Sequence, residues 1–124
     1  MKAKNLFFLE CRVAGRRYSD ADLVWDKLKV GTPLRLERDM DNKYDPNAVA
    51  IMLDMPIKGT GKAESYLLGF IPRAENYELA MLLESGWNEV FNCIVSRIDE
   101  DADFEHQILV TIRINRKAQD KGDK

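Results

Sequence analysis

Three short segments concentrate the side chains able to do chemistry. Val13-Ala14-Gly15-Arg16-Arg17-Tyr18 ends an apolar run with a glycine, two guanidiniums and a phenol. Asn42-Lys43-Tyr44-Asp45-Pro46-Asn47-Ala48 is a turn sequence, in which Pro46 biases Asp45 toward extended geometry and so restricts the Tyr44-Asp45 pair. Gly69-Phe70-Ile71-Pro72-Arg73 delivers a ring and a guanidinium to a strand-to-helix junction. Guanidiniums pair with phosphates, rings stack on bases, and a carboxylate accepts hydrogen bonds. Each segment alone also has a plainer account: Tyr18 and Tyr44 as plugs of barrel ends, Asp45 as the cap of its own turn, Arg16, Arg17 and Arg73 as solvated charges.

Catalytic signals are poor by comparison. The single histidine, His106, stands beside Glu105 without a Ser or Cys motif, and reads as a polar residue at a strand edge. Gly59-Thr60-Gly61-Lys62 echoes a phosphate loop, but Pro56 stands where its first glycine belongs and Ala63 where a hydroxyl would hold magnesium. Asp39 and Asp41 open like a calcium loop, yet Lys43, Tyr44 and Ala50 replace its fifth, sixth and twelfth residues. A metal-dependent nuclease built on Asp39, Asp41 and Asp45 is the distant catalytic option. Cys11 and Cys93 form no C-x-x-C and have no neighbouring histidine, so buried free thiols in a reducing cytosol are expected. No enzyme activity, metal or cofactor is expected.

The elements that must position these segments are mostly strands. Ile108, Val110, Ile112 and Ile114 alternate with polar partners, and Phe7, Leu9, Cys11 and Val13 do the same. Further strands are expected around Leu34–Leu36, Ala48–Leu53, Tyr66–Ile71 and residues 90–98, with 54–65 an exposed loop. Helical spacing follows Ser19 through Leu23, Val24, Trp25 and Leu28 until Gly31 and Pro33 stop it; a second helix begins after Pro72 and runs to Gly86. The expected fold is mainly β: a small six-stranded antiparallel β-barrel of the OB or SH3-like kind with two short α-helices. Residues 1–115 are expected to form one domain and 116–124 a polar tail, and 124 residues suffice for a core without disulfides. The apolar run at Leu6–Leu9 is cut short by Glu10 and Arg12, so neither a signal peptide nor a membrane span is expected, and the location is expected to be cytoplasmic.

Net charge is −2, which excludes a uniformly basic nucleic-acid coat but not a local patch. Residues 1–38 carry nine basic and five acidic side chains, 39–115 six and fourteen, and 116–124 four and two. Both termini are therefore basic around an acidic middle.

In this order and with these contents, V-A-G-R-R-Y at 13–18, L-R-L-E-R-D-M-D-N-K-Y-D-P-N-A-V-A-I at 34–51 and L-G-F-I-P-R at 68–73 resemble the HIRAN domain family. That family occurs at the N-terminus of helicase-like ATPases that remodel stalled replication forks, and as stand-alone bacterial proteins. The resemblance runs from about Phe7 to Ile114 and implies an OB-like barrel that captures the 3′ end of single-stranded DNA. It implies that Tyr18 and Tyr44 stack on or flank terminal bases, that Asp45 receives the 3′-hydroxyl, that Arg17 and Arg73 meet phosphates, and that Phe70 and Asn42 belong to the site. Lys43 departs from the proline frequent before the family's Tyr-Asp pair. The expected partners are single-stranded DNA 3′ ends, with a helicase or nuclease as a further partner, in DNA repair or replication-fork processing. A protein-interaction adaptor for a nucleic-acid-processing partner is the competing expectation.

Overall fold

The computed structural model describes residues 6–115; residues 1–5 and the expected polar tail at 116–124 lie outside the described residues. Six antiparallel strands form: β1 (Leu6–Arg12), β2 (Pro33–Arg38), β3 (Val49–Ile57), β4 (Lys62–Phe70), β5 (Phe91–Ile98) and β6 (Ile108–Ile114). They lie in one sheet in the order β1-β6-β5-β2-β3-β4. Alternation works as expected: Ile108, Val110 and Ile112 are buried with Cys11, Val13, Leu36, Val49, Ile51, Leu53, Leu68 and Val95 in one core.

The sheet bends because β2 divides its pairing. Pro33 and Leu34 face β5, whereas Arg35–Arg38 face β3. It does not close into a barrel, contrary to expectation. Its two end strands meet at one pair, where the N–H groups of Ala14 and Phe70 each donate to the other's carbonyl at 2.8 Å. Gly15 (φ +73°) then turns the chain away from the strand direction, so no ladder continues. Asp20 fills the gap instead, donating its N–H to the Leu67 carbonyl (2.7 Å) and accepting the Leu67 N–H on Oδ2 (3.1 Å). An inserted loop thus satisfies part of the β4 edge.

Both expected helices form, with different bounds and geometry. The first is a 3-10 helix over Ala21–Lys27, not an α-helix, which places the buried Ala21 and Val24 three residues apart on one side. The second is α1 (Tyr77–Glu84), shorter than expected because a separate 3-10 turn occupies Arg73–Glu75. Its end matches the sequence signal: Gly86 (φ +94°) donates to the Leu83 carbonyl and Trp87 to that of Leu82, both at 3.0 Å. Among the described residues, no helix is long and apolar enough to cross a membrane.

The expected 54–65 loop is largely strand. β3 and β4 stay paired out to Ile57 and Lys62, leaving a short turn that holds Gly59 and Gly61. Past Met52, β3 has no partner in β2, so this projecting hairpin is solvated and its polar sequence imitates a loop. Pro56 lies in this stretch, where no β2 ladder needs its missing N–H. Arg35 braces the arm through Asp54, donating from Nε at 2.7 Å and Nη2 at 3.0 Å, and this guanidinium holds the Asp54 carboxyl below the usual range.

Cys11 and Cys93 are buried free thiols, and burial pushes both up to about 12. The folded state then keeps protons that the unfolded chain releases above its ordinary value of 9.0, so stability falls as pH climbs from there toward about 12. Both thiols should accordingly resist alkylation by iodoacetamide at pH 8 and react fully in denaturant; rapid labelling of the native protein would contradict their burial. At the strand junction, a Cβ on Gly69 would stand 2.4 Å from the Ala14 carbonyl oxygen and 2.4 Å from Val13 Cγ1. Gly69→Ala should therefore cost about 1–3 kcal/mol, read as a lower urea midpoint at unchanged slope.

Candidate nucleic-acid interface

Three loops converge where β1 meets β4. In the first, Gly15 is steered by Glu105, whose carboxylate accepts the Gly15 N–H (3.1 and 3.3 Å) and the Arg12 guanidinium (2.6 Å). The 3-10 turn Arg16–Tyr18 that follows throws Tyr18 outward, 87% exposed.

The second loop joins β2 to β3 and is organised from within. Asn42 Oδ1 accepts the N–H groups of Tyr44 (2.8 Å) and Asp45 (2.9 Å), while its Nδ2 donates to Asp39 Oδ2 (3.3 Å). Asp45 Oδ1 accepts the Asn47 N–H at 2.9 Å, the Asx turn read from the sequence. Arg38 ties the loop down by donating to the carbonyls of Pro46 and Ala48. Tyr44 is left 86% exposed.

The third loop leaves β4 through Phe70 and Ile71. Arg73 reaches back to donate to the Tyr44 carbonyl, and its Nε lies 3.8 Å from Asp45 Oδ1. Asp45 Oδ2 accepts Asn76 Nδ2 at 2.8 Å. The carboxylate is mostly enclosed, with 19% of its side chain exposed, whereas Arg73 remains 69% exposed.

These loops enclose two adjoining hollows. One of about 530 Å³ is lined by Gly15, Tyr18, Asn42, Tyr44 and Phe70. The other, about 320 Å³, shares Gly15, Asn42, Tyr44 and Phe70 and extends to Asp45 and Arg73. Six of the seven expected site residues therefore line one cleft: Tyr18, Asn42, Tyr44, Asp45, Phe70 and Arg73. Arg17 does not line it; its guanidinium sits 5.1 Å over the Phe104 ring. Two plainer accounts fail. The tyrosines are far too exposed to plug a barrel end, and Arg16 is not solvated but 5% exposed, held between Trp25 (4.5 Å) and Phe104 (4.4 Å) and paired with Asp22 at 2.8 Å.

Sequence reasoning missed the parts played by Glu105, Arg38 and Asn76. Glu105 lies 90 positions from Gly15, with no local signal. Asn76, just before Tyr77-Glu78-Leu79, occupies a helix-cap position that the single long helix expected over 72–86 concealed. Among the described residues, no group of three or more His, Cys, Asp or Glu could hold a metal ion.

Paired exposed rings around a small cleft with one enclosed carboxylate define a binding module of the β class. The profile of the HIRAN domain matches residues 6–116, and the chain belongs to the HIRAN domain family. HIRAN is a DNA-binding domain and not a catalytic one in itself, so a nucleic-acid-binding role follows. A crystal structure of a protein from Lactobacillus plantarum is similar, with 26% identity over 91% of this chain and 98% of that one and a TM-score of 0.64. The comparison with curated proteins finds no match.

Asn42→Ala removes the acceptor for two N–H groups in a half-buried turn. It should lower stability by about 1–2 kcal/mol in urea titration; an unchanged midpoint would show that water replaces the amide at no cost.

Proposed function

We propose that this protein captures the 3′-hydroxyl end of single-stranded DNA, in repair or replication-fork processing. The observation that carries the reading is the placement of one enclosed carboxylate, Asp45, at the end of a cleft flanked by two exposed tyrosines. A carboxylate within a DNA site normally repels its ligand. Facing a free hydroxyl, it instead accepts a charge-assisted hydrogen bond, while a terminal phosphate meets like charge at close range. A carboxylate offers about four acceptor sites, and Asn47 and Asn76 take one on each oxygen, so capacity remains for a hydroxyl.

The hollows fall within the ~300–1,000 Å³ range of small-ligand sites, which suits a terminal nucleotide better than a long strand. Tyr18 and Tyr44 supply stacking of about 1–3 kcal/mol per base, and the exposed Arg73 supplies a phosphate contact. With so few cations, the salt dependence is shallow. The acidic surroundings disfavour binding along the length of DNA.

Fluorescence anisotropy with one oligonucleotide ending in 3′-hydroxyl, 3′-phosphate or a blocked duplex tests the reading. The 3′-hydroxyl form should bind with micromolar affinity, about −8 kcal/mol, and the 3′-phosphate form about tenfold more weakly or worse. Asp45→Ala should erase that difference. Equal affinity for all three ends, or a steep salt slope, would sink end capture.

A further inference from the structure

Asn76 is among the few fully buried polar side chains, at 1% exposed. It immediately precedes α1, where an asparagine side chain ordinarily accepts an N–H of the first helical turn. No such bond forms here. The amide is diverted to a residue 31 positions away, donating from Nδ2 to Asp45 Oδ2 at 2.8 Å.

That bond has a consequence for the geometry of the carboxylate. Oδ1 is held by the Asn47 N–H at 2.9 Å and Oδ2 by Asn76, so the group cannot rotate without breaking one of two short bonds from different partners. Arg73 Nε stands 3.8 Å from Oδ1, a loose ion pair without a hydrogen bond, which can tighten on a carboxylate released to turn. The donor in Asn76 is neutral. It fixes the carboxylate without adding a second positive charge to the loose pair with Arg73, as a lysine or arginine in the same place would.

Resting on the end-capture reading above, we infer that Asn76 is the positioning residue that sets end selectivity. It presents the remaining acceptor capacity of Asp45 to a terminal hydroxyl and preserves the negative charge that turns a terminal phosphate away. Without it, Asp45 turns so that its loose pair with Arg73 closes into a hydrogen-bonded one. The hydroxyl then loses its acceptor and the phosphate its main repulsion, so affinities for the two ends converge. Stacking on Tyr18 and Tyr44 is untouched.

The test compares anisotropy of 3′-hydroxyl and 3′-phosphate oligonucleotides on the intact wild type, Asn76→Leu and Tyr44→Ala, with thermal melts to establish folding. A hydrogen bond to a charged group predicts that Asn76→Leu loses about tenfold of the preference for the hydroxyl end. Tyr44→Ala should weaken both ligands alike and keep the ratio. A wild-type ratio that survives in folded Asn76→Leu overturns the role of Asn76 while leaving end capture standing. A wild type without any preference overturns end capture, and the selectivity role with it. Should Asn76→Leu fail to fold, the wild type decides by NMR. Side-chain amide resonances of Asn76 that move with the 3′-hydroxyl oligonucleotide more than with the 3′-phosphate one support the inference, and resonances that respond to neither overturn it.

Discussion

Two backbone hydrogen bonds between Ala14 and Phe70 hold the structure and its cleft together. They join the ends of β1 and β4, the outermost strands of the sheet, at a point where the backbones approach too closely for any side chain on Gly69. Everything at the cleft hangs from that junction. Gly15 and Tyr18 follow Ala14 on one side, Phe70 and Arg73 on the other, and Ile71 donates its N–H to Val49 at 3.0 Å, which brings the Asn42–Ala48 loop alongside. Because the contact is a single pair, the two chains diverge immediately after it. The divergence makes the hollow, so an incompletely closed sheet is the condition for having a site.

Electrostatics divides labour among the cations near this junction. Arg16 is consumed by the fold, sandwiched between two rings and paired with Asp22, and Arg38 is consumed by the carbonyls of the neighbouring loop. Arg73 fastens Tyr44 and still keeps most of its surface in solvent. Few guanidiniums remain for phosphate, in agreement with the acidic middle of the chain. A desolvated, doubly tethered carboxylate is costly to keep beside a polyanion. It is chemically sensible where the ligand offers a hydrogen-bond donor.

The strands were legible because burial on one face imposes a period of two, and β1, β2, β5 and β6 follow it through Cys11, Leu36, Val95 and Ile112. The end of α1 was legible because Gly86 needs a positive φ that few other residues accept. Misreadings share one cause, the loss of partners that only the fold decides. The β3–β4 arm looked like a loop because its solvated faces carry polar residues and Pro56. The segment after Ser19 looked α-helical because spacings of three and four both suit an α-helix, whereas the buried pair Ala21 and Val24 is served by a 3-10 turn.

From residues alone came the membership of a DNA-binding family and a site list of which six of seven side chains share one cleft, because turn chemistry at Gly15 and Asn42-Asp45 is local. The tertiary structure alone decided how each group is used. Arg16 became a core cation and Arg17 turned to Phe104; Glu105 and Asn76 entered as supports of Gly15 and Asp45. Such assignments rest on contacts between residues tens of positions apart. A hydrogen bond is set by where two chains arrive in space, which no local pattern of residue types records.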